Sequence, residues 1–153
     1  MLTEKDYCDY DTCVALKELG YNRGAYAYYF PNHKEDLIFN SHQMRGCSIN
    51  EMLKGYNTYP KDVMGHQLID APTMWEAQKW LREEKGIFVY IDVPWKTDDG
   101  LGWSYFCCNK PMTEEDKDVC FASGGFYDSY EEALSEGLRA AIKILKENET
   151  IHE

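Results

Sequence analysis

The stretch from Pro72 to Val93, PTMWEAQKWLREEKGIFVYIDV, limits what this chain can fold into more than any other. Its start has the form of a capping box. The Thr73 hydroxyl can accept from the free N–H of Glu76, and the Glu76 carboxylate can reach back. Met74, Ala77 and Leu81 recur at helical spacing with Trp80 on the shoulder, so one stripe faces a core while Lys79, Arg82 and Glu83 take the wet side. Lys85 falls in the last turn, where positive charge suits the helix dipole, and Gly86 suits the left-handed residue that ends a helix. From Ile87 to Val93 the chain is apolar on both faces except at Asp92, which predicts a central strand covered on two sides. Trp75 points away from the stripe. It either packs against the loop around Trp95 or a neighbouring strand, or it anchors a partner.

The rest of the chain is read around this unit. Residues 1–9 are expected to be a loose lead-in. Asp11 is the expected cap of a helix through about Leu19, with Val14, Ala15 and Leu19 on its apolar face and Gly20 and Gly24 at its exit. Ala25 to Phe30 reads as a strand with Tyr26, Tyr28 and Phe30 on one face, and Leu37 to Asn40 as its return. Ser48 and Glu51 form a second capping box, ahead of a short helix ended by Gly55. Tyr56 to Ala71 has no sustained period and is the candidate functional loop. Pro94 to Gly102 is turn chemistry around Asp98, Asp99 and Gly100. Trp103 to Cys108 is the partner strand. Lys110 to Asp118 is an exposed excursion, and Cys120 to Phe126 a third strand weakened by Gly124 and Gly125. Ser129 and Glu132 open the last helix, whose stripe is Tyr130, Leu134, Leu138, Ala141 and Leu145 and which should fray from Asn148. A capped helix followed by a hairpin thus appears twice, at 11–40 and at 73–108, with little identity between the two.

These elements predict one α+β domain over residues 1–153: an antiparallel sheet of about four to five strands with helices 73–85 and 130–146 on one face. The net charge of −11 repels nucleic-acid phosphates and anionic membranes and favours basic partners. No apolar run is long enough to span a bilayer. The polar, acidic start MLTEKDYCDY is not a secretory signal, so six cysteines imply free thiols and a cytoplasmic setting. The second half has the helix–strand–strand–strand–helix order of double-stranded-RNA-binding domains. The loop GGFYDSYEE would meet phosphate with carboxylates, which argues against that activity.

Reactive constellations are sparse. There is no C-x-x-C pair, no zinc-spaced histidine pair, no phosphate-binding glycine loop, no dinucleotide fingerprint and no nucleophile elbow. A metal site would need distant ligands such as Cys47 with His42 or His33. No cofactor is implied. His66, in the irregular stretch beside Gly65, is the one histidine to test as an acid or base, with Cys108, Cys120 or a carboxylate as its partner. His33 and His152 read as solvated. Asp92 needs a partner or a rim position. The aromatics Tyr56, Tyr59 and Trp95 are placed in loops, where with Trp75 they would form a contact patch for a protein partner.

The runs APTMWEAQKWLREEKGI and SYEEALSEGLRAAIKIL resemble a recurrent group of small proteins from phages and integrated elements of gut Bacteroidetes. The resemblance covers about a third of the chain and carries no catalytic residue. It implies a phage-related accessory role. The functional expectation is therefore a non-enzymatic protein-interaction module. The alternatives are a small enzyme working through His66 and an acidic decoy that mimics DNA.

Overall fold

The computed structural model describes residues 2–31, 33–39, 68–98, 100–109 and 121–151. The fold is α+β. Its described strands form two three-stranded antiparallel sheets, where a single sheet of four to five strands was expected. The chain divides into two compact units, Met1–Thr73 and Met74–Glu153.

In the first unit, Asp9 caps helix α1 (Tyr10–Glu18), its carboxylate accepting from the Thr12 N–H at 2.9 Å. This displaces Asp11, two residues later, from the expected role. The shift turns the helix, so that Thr12, Cys13 and Leu16 are buried and Val14 and Ala15 are only half-buried. Strand β1 (Ala27–Tyr29) buries Ala27 and Tyr29, and leaves Tyr28 and Phe30 in edge-on contact on the other face. It is the middle strand, flanked by β2 (Ile38–Phe39) and β3 (Ile69–Ala71). β3 falls within the stretch read as irregular. Three residues are too few to show a period, but Tyr29 opposite Ile69 and Ala27 opposite Ala71 set its register. Tyr56, Tyr59, His66 and the Ser48–Gly55 helix lie outside the described residues.

The lead-in is not loose. Glu4–Asp6 forms a 3-10 turn, with the Asp6 carboxylate 2.6 Å from the Thr3 N–H. Tyr7 bridges to Thr73, and the Cys8 N–H donates to the Pro72 carbonyl at 2.9 Å. The reason is burial: Tyr7 and Cys8 are core residues of this unit.

In the second unit, α2 (Met74–Lys85) buries Met74, Ala77, Trp80 and Leu81. Gly86 takes a positive φ of 67°, and across it the Ile87 N–H returns to the Leu81 carbonyl at 3.1 Å. The Gln78 side chain donates to the Val89 carbonyl at 2.7 Å and ties the helix to β4 (Phe88–Thr97). Among the described strands β4 lies at an edge of its sheet and β5 (Gly100–Cys108) is the central one, with β6 (Ala122–Tyr127) on its far side. This corrects the central-strand reading of Ile87–Val93. Only Val89 of the described β4 side chains is buried, and its apolar composition on both faces serves a sheet with one open face.

The hairpin is also longer than expected. β4 runs through Pro94 and Trp95 to Thr97, and β5 starts at Gly100, with Thr97 and Gly100 paired. A register shift between Asp92 and Trp95 lets the strand carry Pro94, which has no N–H to give the ladder. Trp95 therefore lies in a strand, paired with Gly102, and not in a loop.

Helix α3 (Tyr130–Ile151) begins as the capping box predicts: the Ser129 hydroxyl accepts from the Glu132 N–H at 3.1 Å. The Glu132 carboxylate returns to the N–H of Asp128, one residue before the cap. The helix does not fray at Asn148 but continues to Ile151. Ala133, Leu134, Leu138, Ala141 and Ile142 are buried, and Leu145 is half-buried. Each large side chain so buried contributes about 1.5–3 kcal/mol.

The two helix–hairpin segments differ in topology. The first strand is central in one sheet and the second strand in the other, so the shared pattern reflects packing needs and not a common plan.

Candidate binding surfaces

Alternation along β4 and β5 sorts the second sheet into two faces. Val89, Tyr105 and Cys107 lie toward α3. The ideal Cβ position of Gly137 is 2.7 Å from Val89 Cγ1 and 3.1 Å from Tyr105 Cβ, and the Cys107 thiol donates to the Gly137 carbonyl at 3.4 Å. Phe88, Tyr90, Asp92, Ser104 and Phe106 therefore lie on the opposite, open face. On it the Phe88 and Tyr90 rings stack at 6.1 Å with 11° between their planes. Tyr90 sits opposite Phe106, and Phe106 opposite Ser123. Phe126 lies over Gly102, whose Cβ position is 2.5 Å from Phe126 Cβ. Phe126 is 65% exposed and Phe121 40% exposed. Phe88, Tyr90 and Phe106 are half-buried on this face. The sequence signal for this face is the same double-sided apolar run that suggested burial on both faces.

Of the sequence-derived contact residues, Trp75 is 38% exposed and on the wet side of α2. Trp95 is in β4, while Tyr56 and Tyr59 lie outside the described residues.

Burial holds the Cys13 and Cys107 thiols in the protonated form. In the first unit the Cys13 thiol and the Tyr29 hydroxyl both donate to the Cys8 carbonyl, at 3.4 Å and 3.2 Å. Burial, with the neighbouring Cys8, Asp9 and Asp70, pushes the Cys13 thiol well above its ordinary range. Burial likewise raises the Tyr29 phenol, helped by Cys13 and Asp9. In the second unit burial takes the Cys107 thiol from 9.0 to about 12. Cys8, Cys13 and Cys107 are free, but Cys108 is disulfide-bonded. The expectation of free thiols throughout is thereby corrected. Adjacent cysteines point to opposite faces of a strand, and both Cys107 and Cys108 are buried.

These shifts carry a pH dependence. A thiol with a raised folded pKa stays protonated in the native state after the unfolded chain has begun to ionise. For Cys107, stability is thus full below about pH 9 and falls as pH rises toward 12. Urea midpoints measured from pH 8 to 11 should decline above pH 9, and Cys107→Ala should remove part of that slope. A midpoint unchanged across this range would contradict the assignment.

Two open depressions accompany these features. One, of about 400 Å³, lies along α3 beside Tyr105 and Ala122, and is walled by Glu136, Arg139, Lys143 and Glu147. Glu136 and Arg139 pair there at 2.7 Å. Burial raises the Tyr105 phenol, with Tyr127, Cys107 and Glu136 adding to it. The other, of about 550 Å³, is in the first unit and is lined by Glu4, Phe30, His33, Glu35 and Asp36. His33 is exposed and 3.8 Å from Asp36, as its solvated reading predicts. Among the described residues no group of three or more His, Cys, Asp or Glu is placed to hold a metal ion, and no helix is long and apolar enough to cross a membrane. His42, Cys47, His66 and Cys120, the other residues invoked for metal or acid–base chemistry, lie outside the described residues. No protein-family model, curated protein or solved structure matches the chain.

Proposed function

We propose that this chain is a non-enzymatic protein-binding module which presents the open aromatic face of β4, β5 and β6 to a basic partner protein. One observation carries the reading: Phe126, 65% exposed, lies on the same sheet face as the stacked Phe88–Tyr90 pair. Aromatic side chains left at a surface are the usual anchors of an interface, and a net charge of −11 draws a basic partner toward them. Trp75 is a separate anchor in this reading. The resemblance to phage and mobile-element proteins supplies the proposed setting, a host or phage protein as target in the cytoplasm.

The test pairs Phe126→Ser with Tyr90→Ser, both at solvent-accessible positions, and checks the fold by circular dichroism. Proteins captured by the wild type are identified, purified and titrated against both forms at low and moderate salt. A net-basic protein should bind the wild type and lose affinity by about 30-fold in the double variant, as expected for removal of a hot spot worth about 2 kcal/mol. Equal binding by both forms, or no binder at either salt, rejects the aromatic face as the interface.

A further inference from the structure

The second sheet ends in two edge strands of unlike character. β4 has the features that discourage pairing: Pro94, a register shift between Asp92 and Trp95, and the charged residues Asp92 and Lys96. β6, with the sequence ASGGFY, has neither charge nor proline. Its side away from β5 makes no backbone hydrogen bond among the described residues, and Ser123 and Gly125 are exposed. The 400 Å³ depression adjoins this edge at Ala122. Gly124 belongs to the same arrangement, because its Cβ position is 2.6 Å from Tyr105 Cε1, so the Tyr105 ring occupies the space of a side chain.

Across the depression, α3 supplies two unlike pairs of charges. Glu136 and Arg139 satisfy each other at 2.7 Å. Lys143 and Glu147 are both exposed, and no ion pair joins them among the described residues. A lysine four residues ahead of a glutamate is the weaker order for a helix pair. Along the helix axis they stand about 6 Å apart, close to the roughly 6.8 Å between residues i and i+2 of an extended chain.

We propose that the outer edge of β6 takes an extended peptide segment of a partner protein as a fourth strand, and that this segment carries one acidic and one basic side chain, two residues apart, which meet Lys143 and Glu147. Strand addition at a free edge draws affinity from main-chain hydrogen bonds and specificity from alternate side chains. The inference does not depend on the open aromatic face, since it uses the strand edge and the helix side of the sheet.

Two fluorescein-labelled octapeptides of alternating valine test it, one with the central order Glu-x-Lys and the other Lys-x-Glu. Binding is followed by anisotropy and by amide shifts of the 15N-labelled full chain at Ser123, Gly124 and Gly125. One order should bind about two- to five-fold better than the other, the range expected of a rim ion pair. The preference should invert in the doubly substituted Lys143→Glu, Glu147→Lys protein, whose surface changes spare the core. N-methylation of alternate peptide amides should weaken binding by at least about ten-fold. Tyr90→Ser should leave both affinities unchanged, which separates this site from the aromatic face. The proposal is overturned if neither peptide shifts these amides at about 1 mM, if N-methylation has no effect, or if the order preference survives the charge swap.

Discussion

Trp80→Ala should lower the unfolding free energy by about 3–5 kcal/mol, the range for truncating a buried aromatic. Trp80 is only 2% exposed, and shares the buried side of α2 with Met74, Ala77 and Leu81. Its removal leaves a cavity that the Ala77 and Leu81 side chains cannot fill without moving the helix. It also removes the ring over which the Lys85 ammonium sits at 5.5 Å, a smaller loss because that cation is near the surface. Against a typical total of about 5–15 kcal/mol, this is a large fraction of the stability. Urea titration followed by far-ultraviolet circular dichroism measures the effect without relying on the fluorescence of the deleted residue. A loss below about 1.5 kcal/mol would mean that α2 is not held by this face.

Gly137→Leu should cost about 3 kcal/mol, at the upper end of overpacking effects. A mid-helix glycine usually costs about 1 kcal/mol relative to alanine, so an unconstrained site would gain from substitution. Here the Cβ position is 2.7 Å from Val89 Cγ1 and 3.2 Å from Tyr105 Cγ, and α3 would have to lift from the sheet. That movement also stretches the bond from the Cys107 thiol to the Gly137 carbonyl. Gly137→Ala separates the two effects. Its propensity gain and its steric cost oppose each other, leaving a net loss of about 1 kcal/mol. A stabilised alanine variant, read from the same urea titration, would show that the helix does not press on the sheet at this point.

The helices were the most legible part of the fold because their information is local. Period, cap and terminal glycine all lie within one turn of the residues they govern, and Gly86 and Ser129 were read from them. The cap of α1 was misplaced because Asp9 and Asp11 both precede an apolar pattern, and only tertiary burial of Cys13 and Leu16 selects the first. Strand position was less legible. The residues of β4 state that it is a strand, but whether it is central or at an edge depends on which neighbours arrive. β3 is set almost wholly by its partner β1. The glycines of β6 looked like weakness, and the reason for Gly124 became visible only with the Tyr105 ring in place. Trp75 was legible as a surface residue, whereas the Phe88–Tyr90–Phe126 band was hidden. Its members come from two strands, are nearly forty residues apart, and meet only when β5 lies between them.

The strap formed by Tyr7 and Cys8 has a consequence for synthesis. These residues leave the ribosome early, but the Pro72 carbonyl and Thr73 that receive them follow roughly 65 residues later, a delay of about 3–13 s at ordinary elongation rates. β1 waits for β3 over roughly 40 residues, a delay of about 2–8 s. Until then Tyr7 and Cys8 lack the partners that bury them in the folded unit. The first unit therefore closes in one late event, and a pause in translation before Thr73 would prolong the period in which a chaperone has something to hold.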